Sequence, residues 1–79
     1  MIIVNVRSTT RRFDGQAVNE SVETPRSLFE KIGIDCSRSV NSLSGTILMP
    51  DDMNCTFAEL GAAGVCTLSA IVKAQGNAI

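Results

Sequence analysis

Apolar and polar residues alternate over "IIVNVRS", positions 2–8. Ile2, Val4 and Val6 fall on one side and Ile3, Asn5 and Arg7 on the other. This predicts a half-buried strand with β-branched residues on its inner face. The alternation returns in "CTLSAIVKA", positions 66–74, where Cys66, Leu68, Ala70 and Val72 oppose Thr67, Ser69, Ile71 and Lys73. Between them, Asp14-Gly15 is a hairpin turn signal, and "AVNESVE" (17–23) offers Val18 and Val22 as one face of a return strand. A two-residue Asp-Gly loop would pair Phe13 with Gln16 and set Val22 opposite Arg7, facing away from Val4 and Val6. One face has to bury both sets, so the pattern requires an odd-length loop or a bulge near Arg11 to Gly15. Arg7, Arg11 and Arg12 then gather around the hairpin, either as a solvated tip or as a patch for a small anion or a partner.

The period changes at "TPRSLFEKIG", 24–33. Thr24 suits an N-cap, Pro25 the first helical position and Gly33 the left-handed C-terminal position, which predicts one short helix. Its stripe of Leu28, Phe29 and Ile32 has to pack on the sheet, because a helix this short does not hold alone in water. "SVNSL" (39–43) and "TILM" (46–49) predict short strands around Ser44-Gly45, with Val40, Leu43, Ile47 and Leu48 buried. "PDD" (50–52) reads as a turn. "TFAE" (56–59) has the spacing of a capping box, which predicts a helical turn ending at Gly61, with Phe57 and Leu60 plugging the core. The first and last strands, separated by a helical crossover, are expected side by side and parallel at the centre of the sheet.

Seventy-nine residues make one small domain with a thin core; a chain this size buries only about 60% of its extended surface. The division read here is a single domain over 1–74 and a flexible C-terminal tail over 75–79. The net charge of −1, without Trp or Tyr, argues against a nucleic-acid binder, which needs a basic face or a stacking platform. Three cysteines without a CxxC spacing, and no histidine, argue against a disulfide framework, a metal site and the usual general base. Asp51-Asp52 are adjacent acids in a turn, and no nucleophile or phosphate-loop spacing appears. The expectation is a non-enzymatic protein with no cofactor, metal, nucleic-acid or membrane association, and a cytoplasmic location, since no signal peptide or spanning segment is visible.

The predicted order is strand, strand, helix, strand, short strand, helical turn, strand. "SLSGTILMPDDMNCTFAELGAAGVCTLSAIVKAQG" resembles the second half of ubiquitin-like proteins: a strand, a Gly-containing turn at Leu43-Ser44-Gly45, a short strand with Leu48, and an acidic turn at Asp51-Asp52. There follow a helical turn at Thr56-Phe57 and Leu60, and a last strand with Thr67-Leu68 and Val72. The first half fits less specifically. The resemblance implies an α+β, ubiquitin-like β-grasp: a mixed sheet of four to five strands with one helix packed across it. Bacterial sulfur carriers of thiamine and molybdopterin synthesis share that fold and size. Those carriers, like ubiquitin, end in Gly-Gly, whereas this chain ends Lys73-Ala74-Gln75-Gly76-Asn77-Ala78-Ile79. A modifier or sulfur-carrier role would therefore need processing to Gly76. The first expectation is instead a protein-interaction module. Its candidate partner surface is the sheet face away from the helix, carrying Ile3, Asn5, Arg7, Thr67, Ser69, Ile71 and Lys73.

Overall fold

The computed structural model describes residues 1–72. Five strands form one mixed sheet: β1 (Ile2–Ser8), β2 (Arg12–Val18), β3 (Ser39–Leu43), β4 (Thr46–Ile47) and β5 (Val65–Val72). Their spatial order is β2-β1-β5-β3-β4. β1 and β5 run parallel at the centre, in register from Ile3 opposite Val65 to Ser8 opposite Ala70, and the other neighbours are antiparallel. A single helix, α1 (Pro25–Ile32), covers one face, and a 3-10 helix (Pro50–Asn54) precedes β5. This is the α+β class expected above, and the arrangement is consistent with a β-grasp.

The core is what the alternation demands. Val4, Val6, Val18, Phe29, Phe57 and Leu68 are fully buried, with Leu28 beside them. Each such side chain contributes roughly 1.5–3 kcal/mol by leaving water. The Thr24 hydroxyl accepts from the Ser27 amide at 3.1 Å, and the Ser27 hydroxyl in turn accepts from the Thr24 amide at 2.9 Å. Pro25 sits inside the first turn and Gly33 closes the helix, so the punctuation signals did their work.

The hairpin differs from its turn signal. The chain reverses at Ser8–Arg11, where the Ser8 amide donates to the Arg11 carbonyl at 2.8 Å and the Arg11 amide donates to the Ser8 hydroxyl at 3.0 Å. Asp14-Gly15 lies inside β2 as a bulge, within the stretch expected to hold one but for a different reason. Val4 faces Gln16 and Val6 faces Phe13, so the extra residue puts Phe13 and Val18, not Val22, on the buried face. Gly15 takes φ +73°, and its amide donates to the Asn5 side-chain oxygen at 2.9 Å. Moving the turn toward β1 also shifts the return strand toward the N-terminus without changing its length, from 17–23 to Arg12–Val18. β2 ends at Val18, and Val22, expected on the buried face, lies in the following turn 68% exposed.

A second correction concerns β3 and β4. Leu43 and Leu48 are buried, but Val40 and Ile47 are exposed on the opposite face. Positions three apart in a strand cannot share a face. Leu43 therefore takes Asn41 inward with it and turns Val40 out. Asn41 is tolerated there because its side-chain oxygen accepts from the Ser39 hydroxyl at 2.6 Å and its amide donates to the Cys36 carbonyl at 3.3 Å. Residues 50–52, read as a plain turn, open the 3-10 helix. The capping box at Thr56 forms in both directions, with the Thr56 amide on the Glu59 carboxylate at 2.8 Å and the Glu59 amide on the Thr56 hydroxyl at 3.1 Å. It encloses a single turn in which Leu60 bonds back to Thr56.

Candidate functional site

The helix, the 3-10 helix and the 56–61 turn all serve the inner face, and among the described residues nothing packs on the outer one. Strand register lays out that outer face in rows. One row runs Ala17, Ile3, Val65; another runs Arg12, Arg7, Ser69, Ser42, Ile47; beyond it stand Ile71 and Val40, directly opposite each other. Ile3, Asn5, Arg7, Thr67, Ser69 and Ile71 therefore share the face on which the sequence put them. Lys73 and Gly76 lie outside the described residues, as does the division at residue 74.

The face does not bring all these residues together. Ile3 stands level with Val65, six residues before Ile71, so the two isoleucines are about 20 Å apart along the strands. The apolar positions form two separate spots. One is Ile3 with Val65. The other is Ile71 (46% exposed) with Val40 (37%), flanked diagonally by Ile47 (62%). Val40 and Ile47 were not anticipated at this surface. The signal was present: Val40 has the opposite parity to Leu43, so burying one exposes the other. Asn5 is on the face but already engaged, because its side chain holds the Gly15 bulge.

The charge of the strands on this face is two arginines against one acid. Of the acidic residues in the chain, only Asp14 lies in a strand. Arg7 and Arg12 face each other across β1 and β2. Arg12 reaches Asp14 at 3.3 Å, an exposed pair worth little, and Arg7 has no ion pair among the described residues. Arg11 turns the other way. Its guanidinium donates to the Gly33 carbonyl at 3.2 Å and lies 5.2 Å from the centre of the Phe13 ring, so it braces the helix end. The sequence placed three arginines together; the structure keeps all three around the hairpin but engages the Arg11 guanidinium with the helix end and Phe13.

No protein-family model, no curated protein and no solved structure matches this chain. Function has to be read from the face itself.

The other chemistry-bearing residues are scattered. Among the described residues, no group of three or more His, Cys, Asp or Glu side chains converges. Cys36, Cys55 and Cys66 are free thiols, and burial pushes the Cys36 thiol above its ordinary range, away from the reactive thiolate. No helix among the described residues is long and apolar enough to cross a membrane.

Proposed function

We propose that this chain is a small, non-catalytic ubiquitin-like protein that acts as a protein–protein interaction module, binding its partner through the outer face of the sheet. The observation that carries this reading is the Val40–Ile71 pair: two β-branched side chains, directly opposed on neighbouring strands, exposed and extended by Ile47. A contiguous apolar spot rimmed by polar residues is the ordinary anatomy of a partner surface, whereas single exposed apolar residues are not. Ser42, Ser69 and Arg7 supply the polar rim. The reading places the protein in the cytoplasm, in keeping with three unpaired thiols.

The test is affinity capture from the native cell with the wild-type protein and with Val40→Thr/Ile71→Thr, which keeps strand preference while removing apolar surface. The wild type retains a defined partner that the double variant loses, while thermal unfolding stays within a few degrees. Equal capture by both proteins contradicts the proposal, and so does a variant that fails to fold, because these residues would then be core.

A further inference from the structure

Two arginines directly opposite each other on antiparallel strands are a poor choice for stability, since like charges at such positions repel. The geometry makes the approach close. The Ser8 amide bonds the Arg11 carbonyl at the adjacent pair, so Arg7 and Arg12 occupy the position without backbone bonds, where Cα atoms lie only about 4.5 Å apart. Beside them is a groove of about 610 Å³ whose lining includes Arg7, Arg11, Arg12, Ser69, Ile71 and the hydroxyl-bearing turn residue Thr9. Its arginines make it cationic, and Ile71, which stands opposite Val40 on the neighbouring strand, is its apolar member.

We propose that Arg7 and Arg12 clamp a carboxylate on the partner, an Asp or Glu side chain carried next to an apolar residue that covers Ile71 and Val40. This inference rests on reading the outer face as the partner surface, and it names the chemistry that surface selects. Arg7 has no ion pair among the described residues, and the exposed contact of Arg12 with Asp14 at 3.3 Å is weak enough to exchange. Together they can offer guanidinium forks to the planar, two-oxygen geometry of a carboxylate, and the Ser69 and Thr9 hydroxyls can donate to it. Charge complementarity favours an acidic segment, because this face carries two arginines, one of them without an ion pair among the described residues, against the single acid Asp14, whose contact with Arg12 is exposed and weak. The apolar member favours a peptide over a free phosphate, which has no use for Ile71. Two arginines on a chain of net charge −1, with no Trp or Tyr, are too few for a nucleic acid.

The test is selection of a phage-displayed random decapeptide library on the full chain, followed by NMR titration of the selected peptides. The expected consensus sets Asp or Glu beside an apolar residue and shifts the amides of Arg7, Arg12, Ser69 and Ile71. Arg7→Ser/Arg12→Ser weakens those peptides at least tenfold and leaves the protein as stable or slightly more stable, because the repulsion is gone. Arg7→Glu sets a carboxylate directly opposite Arg12, where the two pair, and abolishes the preference for acidic peptides.

An acid-free consensus, unchanged binding by the double serine variant, or no enrichment at all overturns the clamp. Inorganic phosphate that saturates the same amides while the acidic peptides fail to compete also overturns it, in favour of a small-anion site. The two proposals fail separately. Peptides lost on Val40→Thr/Ile71→Thr but kept on Arg7→Ser/Arg12→Ser would leave the apolar surface standing without its clamp.

Discussion

At the scale of single residues, the face is set by a few backbone decisions. The β3–β4 turn needs two successive residues in the left-handed region, and Ser44 (φ +49°) and Gly45 (φ +86°) occupy them. Such a turn matches the twist of the flanking strands and favours Asn-Gly. Serine at the first position carries a side-chain clash that asparagine tolerates better and valine worse. Ser44→Asn is expected to stabilise by about 0.5 kcal/mol and Ser44→Val to destabilise by about 1–2 kcal/mol. Thermal melts read this directly, since 1 kcal/mol moves Tm by roughly 4–8 °C in a domain of this size. Equal melting of the two variants would mean that the turn is not the one described. The turn matters for function because it holds β4, and therefore Ile47, beside Val40. Gly15 plays the matching part in β2: its bulge lets Phe13 and Val18 face the helix together while Arg12 remains opposite Arg7.

At the scale of elements, the linker between the 3-10 helix and β5 anchors the chain to the segment after β2. The Phe57 amide donates to the Glu23 carbonyl at 3.1 Å and the Ala58 amide to the Glu20 carbonyl at 2.8 Å, while the Phe57 ring is fully buried. The Thr56–Glu59 box fixes that turn. Thr56→Ala is expected to cost about 0.5–2 kcal/mol, as loss of a cap does, and Phe57→Ala about 3–5 kcal/mol, comparable to the whole stability of a small domain. Denaturant unfolding followed by circular dichroism gives both values, and similar small losses for the two variants would contradict the anchoring role. The elements most legible in the sequence were those carrying their own punctuation or a clean period: α1 with its Thr-Pro start and Gly end, the Thr56 box, β1 and β5. The hairpin and β3 were less legible. Asp14-Gly15 is equally good chemistry for a turn or for a bulge, and only the pairing of Val18 with Ile2 decides between them. In "SVNSL" the apolar residues have conflicting parity, so local pattern cannot say whether Val40 or Asn41 goes inside; Leu43, fixed by its place opposite Leu68, settles it.

At the scale of the whole molecule, the fold separates two tasks. The inner face spends the large apolar residues on a single core beneath the helix. The outer face lacks a covering element among the described residues and carries a short apolar ridge beside two arginines. The parallel pairing of β1 with β5 creates this arrangement, because it brings Arg7 level with Ser69 and one step from Ile71. The site was therefore half visible beforehand. Alternation identified which residues of β1 and β5 point outward, but long-range register decides that Ile71 meets Val40 and that Arg7 meets Arg12. No local pattern records those two meetings.

The central claim is that a partner covers this face. Amide hydrogen exchange of the chain, free and bound to the partner captured in the native cell, tests it most directly. The account predicts added protection at Arg7, Arg12, Val40, Ser69 and Ile71, with α1 unchanged. Added protection confined to α1 or to the 56–61 turn, with the outer face exchanging as before, would contradict it.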